Sequence, residues 1–280
     1  LNIDIVGFDN TGIIGYNNGG TVEDLYVKNV SIVANSYVGG IVGYNKGKVI
    51  AITADNINII GNSNVGGIAG YNDESEISDI IVTANIETTS SYTGGVVGYN
   101  SYASAKNIIV KNIIINSSGN RAGGITGQAF YGTVTGVVEN GSIKSNDEVG
   151  RITGYYNSAS LNTYSSNSVS VSPNNNINSA KDGTEISEEH KSLSTYDNMI
   201  DTWIGGDNDS NGYYFDYEGN EIVIRNIDRN PIIFTLSGNG TESDPYIISN
   251  YQQWKEATTK LDATYYYKLN NDIDFNNKKF

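Results

Sequence analysis

Apolar residues return along the first half of this chain at a nearly constant interval. Val22, Leu25, Val27, Val30 and Ile32 are followed 27 residues later by Val49, Ile52, Ala54, Ile57 and Ile59. Ile108, Val110, Ile113 and Ile115 repeat the pattern further on. Steps of two are strand alternation, and steps of three mark a corner where the chain turns from one strand into the next. Val, Ile, Tyr and Thr favour strands, and no long helical stripe competes with them. One period therefore predicts three short strands joined by corners.

A glycine phrase keeps the same period. It reads Thr11-Gly12-Ile13-Ile14-Gly15-Tyr16-Asn17, Gly39-Gly40-Ile41-Val42-Gly43-Tyr44-Asn45, Gly66-Gly67-Ile68-Ala69-Gly70-Tyr71-Asn72 and Gly94-Gly95-Val96-Val97-Gly98-Tyr99-Asn100. Two weaker copies follow, Gly123-Gly124-Ile125-Thr126-Gly127-Gln128 and Gly150-Arg151-Ile152-Thr153-Gly154-Tyr155. The last glycines fall at 15, 43, 70, 98, 127 and 154, which are intervals of 28, 27, 28, 29 and 27. A period in this range signals a solenoid. Stacking such units predicts a mostly all-β fold, a right-handed parallel β-helix of about six rungs, each adding about 4.8 Å along the axis. Glycine suits a corner that needs positive φ or close backbone approach. The loss of Tyr-Asn at Gln128 and Ala129, and of glycine at Arg151, marks terminal rungs, so the helix is expected to finish near residues 155–172.

Stacked in register, Tyr16, Tyr44, Tyr71 and Tyr99 form one column, with Asn17, Asn45, Asn72 and Asn100 beside it. Aromatic faces can pack and amides can hydrogen-bond up such a stack. The tyrosine column is read first as a structural ladder; its alternative is a ligand-binding strip.

Three segments are expected: residues 1–172 as the β-helix, 173–236 as a small α+β cap and linker, and 237–280 as the start of a second β-helical unit. Within 186–204 a short helix is capped by Ser194 or Thr195. Tyr213–Tyr217 and Glu221–Arg225 flank Glu218-Gly219-Asn220 and predict a hairpin. Trp203, Tyr214, Phe215 and Phe234 are expected to pack over the end of the β-helix. From 237, Asn250 can cap a helix over 251–261 with Trp254, Ala257 and Leu261 on one face, followed by a strand over 265–275. The chain opens inside one repeat and closes inside another unit, and so reads as a fragment.

Composition narrows the function. Seventeen basic and 31 acidic residues give a net charge of −14, which repels nucleic acid and anionic membrane. Cysteine is absent, so neither a disulfide framework nor a cysteine metal site is available. No apolar run reaches transmembrane length, so direct membrane insertion is not expected.

The glycine phrases resemble the GLUG repeat, found in large bacterial surface and secreted proteins, some of which carry it before a metallopeptidase domain of the M26 immunoglobulin A1 protease family. Gly238-Asn239-Gly240-Thr241-Glu242-Ser243-Asp244-Pro245-Tyr246-Ile247-Ile248 resembles the opening of a β-helical unit in such proteins, and residues 267–275 resemble its first strand. The resemblance implies an extracellular or cell-surface location. It implies no reaction: the M26 zinc motif His-Glu-x-x-His is missing from this sequence, which has one histidine.

One motif carries metal chemistry. Asp207-Asn208-Asp209-Ser210-Asn211-Gly212, running on to Glu218, fits the EF-hand calcium pattern. Asp207, Asp209, Asn211, the Tyr213 carbonyl and a bidentate Glu218 would supply oxygen ligands, with Gly212 making the turn; a solvated turn is the alternative. Calcium, in a structural role, is the one cofactor the sequence offers. His190 lies between charged residues and reads as an exposed helical residue. Asp79, Glu87 and Glu139 form no recurring carboxylate pair, and Asp24 and Asp79, aligned across rungs one and three, read as a turn position. No catalytic residue is assigned. The expected function is a non-catalytic spacer or adhesive segment, monomeric in isolation, with a host glycoprotein or polysaccharide as partner. The alternatives are an ancillary region presenting substrate to an M26-type protease domain elsewhere in the polypeptide, or, more weakly, a carbohydrate-active β-helix.

Overall fold

The computed structural model describes residues 3–173, 179–186, 212–218, 221–226, 240–248 and 266–270. It forms two compact units, Leu1–Arg225 and Asn226–Phe280.

The first unit is a parallel β-solenoid of about six turns. Its main sheet stacks Ile3–Val6, Thr21–Val33, Lys48–Gly61, Glu76–Thr88, Val97–Ser117, Thr126–Val138, Thr153–Ser166 and Thr184–Ile186 in that order. A second sheet stacks Asp9–Thr11, Ser36–Gly39, Ser63–Gly66, Thr93–Gly94, Asn120–Gly123 and Asp147–Gly150. Each strand pairs in parallel with its equivalent one period away, as in Leu25↔Ile52, Ile52↔Ile80 and Ile80↔Ile108. The 27- to 28-residue sequence register is thus the hydrogen-bond register.

The columns that alternate inward make one continuous core. Ile32, Ile59, Ile86, Ile115 and Ile143 align along it, each at most 1% exposed. In the last turn the core turns polar: Thr163 and Ser165, both buried, align with the columns of Ile108 and Val110. A solenoid closes this way, with a rung no longer built to receive an apolar neighbour. The short helix Ser179–Asp182 follows. It supplies the Lys181 carbonyl to the Ile152 amide and the Asp182 carboxylate to the Arg151 amide.

The second glycine of the phrase, replaced by Arg151 in the last turn, is required by close approach. A Cβ on Gly40 would lie 2.2 Å from the Gly67 carbonyl oxygen, and one on Gly67 would lie 2.2 Å from that of Gly95. At the same corner the Ile68 carbonyl accepts both the Ile41 and Val42 amides, which draws consecutive turns together. The turn into the second sheet is different. Asn10, Tyr37, Asn64, Tyr92, Arg121 and Glu148, one per turn, carry φ between 46° and 71°. A left-handed corner is therefore made here by non-glycine residues.

Strands Tyr213–Glu218 and Glu221–Asn226 pair with each other, as the hairpin reading predicts. Phe215 and Ile222 pack on Ile81, Ile109, Val137 and Ile186, and Tyr213 packs on Ile50 and Ala51. Ile81, Ile109 and Val137 form one column whose neighbours along the strand face the core. The hairpin thus lies along the flank of the solenoid, not over its end, because these three residues make the outer wall apolar there. Trp203, Phe234 and the side chain of Tyr214 lie outside the described residues, as do the predicted helices within 186–204 and 251–261.

In the second unit, Tyr246–Ile248 pairs in parallel with Tyr267–Leu269. The Tyr246 and Tyr267 rings lie 5.7 Å apart.

Candidate functional site

The asparagine column is a buried amide ladder. Asn17 Nδ2 donates to Asn45 Oδ1, Asn45 Nδ2 to Asn72 Oδ1, and Asn72 Nδ2 to Asn100 Oδ1, each at 2.8 Å. Asn100 Nδ2 then donates to the Ala103 carbonyl. The ladder ends there because the next residue in register is Ala129. Asn45, Asn72 and Asn100 are fully buried, so each amide needs the partner that the neighbouring rung provides.

The tyrosine column lies beside it. Ring centroids are 5.3 Å apart for Tyr16–Tyr44, 4.9 Å for Tyr44–Tyr71 and 5.0 Å for Tyr71–Tyr99. A second column, which periodicity alone does not single out, interleaves with the first. Tyr37 packs against Tyr44 and Tyr71, and Tyr92 stacks on Tyr99 at 5.3 Å. Its signal is the left-handed position one residue before Val38 and Thr93, where side-chain type varies from turn to turn.

Where Gln128 interrupts the first column, Arg121 fills the space. Its guanidinium lies 4.4 Å from the centre of the Tyr155 ring and donates to Gln128 Oε1 and Glu148 Oε2. Burial opposes the Arg121 charge, yet the bond to Glu148 and the neighbouring charge leave its pKa raised overall.

The strip is electrostatically tuned as well as packed. Burial raises the Tyr44 phenol well above the ordinary tyrosine value, and the 2.8 Å bond it donates to Asp73 raises it further. Burial also raises Tyr71 and Tyr99. Lys46 bridges to the same Asp73 at 3.1 Å. Tyr44, Tyr71 and Tyr99 are half-buried; Tyr44 and Tyr71 stack face to face, while Tyr71 and Tyr99 meet edge to face. Tyr16, at the end of the column, is 48% exposed. The rings thus form the stacked column that the sequence register predicts.

The other candidates are scattered. Asp24, Ala51, Asp79 and Asn107 share a left-handed turn position, and the Asn107 amide donates to Asp79 Oδ1 at 3.0 Å. Glu87 is exposed on its strand. Among the described residues no group of three or more histidine or acidic side chains is arranged to hold a metal ion. Of the calcium loop, Asp207, Asp209 and Asn211 lie outside the described residues. Gly212 has φ of +77°, and Tyr213 and Glu218 begin and end a strand. His190 also lies outside them. No described helix is long and apolar enough to cross a membrane.

Residues 61–87, one period of the solenoid, match the GLUG motif. The match supports a GLUG-repeat protein. No curated protein and no solved structure matches the chain. The matched GLUG segment contains Gly66, Gly67, Gly70, Tyr71 and Asn72, so the motif coincides with the residues that hold one turn to the next.

Proposed function

We propose that this chain is a non-catalytic segment of a secreted or cell-surface bacterial protein, its solenoid acting as a spacer or binding surface. The amide ladder carries the reading. The residues that define the repeat are spent on contact between rungs, so repetition sets length and stiffness rather than a reacting centre. Six rungs at about 4.8 Å each correspond to a rod of roughly 30 Å. Substrate presentation to an M26-type protease domain uses the same rod; it would be favoured by a His-Glu-x-x-His motif elsewhere in the same polypeptide.

The test is incubation of the purified chain with a panel of host glycoproteins and polysaccharides, with both bound and cleaved material measured. No new peptide fragment or reducing end is expected. A cleavage product that persists through purification and disappears on replacing a single carboxylate would overturn the non-catalytic reading.

A further inference from the structure

The later turns carry an aromatic cluster that closing a rung does not require. Tyr102 and Tyr131 stand at the same corner of consecutive turns, between the paired positions Ser101↔Phe130 and Ala103↔Gly132. Their rings are parallel within 4° at 4.9 Å, and Phe130 stands nearly perpendicular to both, 5.4 and 4.8 Å away. Tyr102 is 57% exposed, Tyr131 40% and Tyr156, on the next turn, 37%.

The backbone does not call for an aromatic residue at this corner. Tyr102 and Tyr131 hold φ of 49° and 50°, and the same corner in other turns is made by Gly19, Glu74 and Ser158, all with positive φ. A bulky residue in the left-handed region costs about 1–2 kcal/mol, which glycine avoids. Exposed aromatic clusters concentrate at interaction sites.

The chemistry of the rim selects the ligand. Tyr102, Phe130 and Tyr131 are uncharged, as are Asn157 and Ser158, which are exposed on the next turn; the charged member of the same corner column is an acid, Glu74, one turn before Tyr102. Tyrosine offers an apolar ring and a polar tip, suited to the carbon–hydrogen face and hydroxyls of a pyranose. The rung spacing of about 4.8 Å is close to the length of one pyranose in an extended glycan. A net charge of −14 disfavours a polyanion. We propose that the Tyr102–Phe130–Tyr131 corner binds a neutral polysaccharide. The assignment rests on the rod acting as a presenting surface.

Affinity electrophoresis of the whole chain tests it, in gels containing amylopectin, hydroxyethylcellulose or galactomannan, with hyaluronan as the polyanionic arm. The variants are Tyr102→Gly/Tyr131→Gly, which suits the left-handed corner and should keep a near wild-type melting midpoint, and Tyr26→Ala, which removes an exposed tyrosine in the first turn. Wild type and Tyr26→Ala should be retarded by at least one neutral polysaccharide, and the double glycine variant should bind about tenfold or more weakly, as expected for the loss of two ring contacts. Retardation by hyaluronan alone, by none of the gels, or equally in the double variant would overturn the site. Reducing ends released in the same gels would instead overturn the non-catalytic reading, so the two failures are distinguishable.

Discussion

The guanidinium of Arg121 sits over the ring of Tyr155, 4.4 Å from its centre, and approaches Tyr92 at 5.5 Å. Arg121 is the member of the left-handed column that takes over where the tyrosine column meets Gln128. It carries the aromatic strip across one turn that has lost its tyrosine, and Glu148 holds its charge. Arg121→Ala should therefore destabilise the chain by about 1–2 kcal/mol, from the lost cation–π contacts and the partly exposed ion pair. Arg121→Lys should recover only part of that, since lysine lacks the planar fork. Urea unfolding of the three proteins checks the order, and the alanine penalty should shrink in molar salt.

The amide ladder predicts a gradient of cost along one column. Asn72 is fully buried, donates to Asn100, and accepts from Asn45 and from the Ser75 hydroxyl. Asn72→Ala leaves buried partners unsatisfied and should cost about 2–3 kcal/mol. Asn17 stands at the end of the ladder, so Asn17→Ala should cost about 1 kcal/mol or less. Equal penalties at the two positions in denaturant melts would show that the ladder is not cooperative.

Two glycines separate crowding from backbone strain. A Cβ on Gly67 would lie 2.2 Å from the Gly95 carbonyl oxygen, whereas one on Gly19, at φ of +84°, would meet nothing within 4 Å. Gly67→Ala should cost about 3 kcal/mol or more, because backbone has to move in two turns at once. Gly19→Ala should cost only about 1 kcal/mol, from its left-handed conformation. Thermal melts of the two variants give the comparison directly.

What could be read from sequence and what could not divide along a physical line. The solenoid register, the inward columns and the Asn17–Asn100 ladder were legible because each depends on a contact one period away, and the period is written in residue type. The second aromatic column was not. Its positions, from Asn10 to Glu148, share a backbone conformation, and a left-handed corner accepts Asn, Tyr, Arg or Glu at modest cost. The hairpin over 213–226 was legible as a hairpin, but its place was not. Ile81, Ile109 and Val137 look like core residues in sequence, and only the fold shows that they face outward to receive Phe215 and Ile222. The corner at Tyr102 and Tyr131 lay hidden for the same reason, since a single exposed tyrosine carries no periodic mark.

Alkaline pH should unfold the solenoid through its tyrosines. The Tyr44 phenol has a pKa raised above its ordinary value of 10.0, and Tyr71 and Tyr99 shift the same way. A raised pKa means that the folded state holds its proton more tightly than the unfolded state does. The resulting stability is fully present below about pH 10 and is lost as pH rises through the folded-state values. Absorbance titration of the phenolates should show a fraction that ionises only with unfolding. Tyr44→Phe should remove part of that fraction and flatten the fall in melting midpoint above pH 10. A midpoint that falls equally steeply in wild type and variant would place the alkaline sensitivity elsewhere.

The strongest consequence of a rod built from neighbour contacts is that one turn can be removed. Ile60 pairs with Glu87 and Gly61 with Thr88, so excising residues 61–87 joins Ile60 to Thr88 with the hydrogen-bond register kept. The inward columns stay aligned, since Val30, Ile57, Ala84 and Ile113 occupy one position in successive turns. The tyrosine and asparagine columns each lose one member and close up. The deleted chain should fold cooperatively, with a lower midpoint and a smaller denaturant m-value, because stability in a solenoid is close to a sum over turns and their interfaces. Its solenoid should be shorter by about one rung, roughly 4.8 Å. The hairpin contact on Ile81 goes with the excised turn, while those on Ile109 and Val137 remain, so protease resistance of residues 213–226 should weaken without vanishing. Loss of all cooperative unfolding on removal of this single turn would mean that the chain is one indivisible domain, and the spacer reading would fall with it.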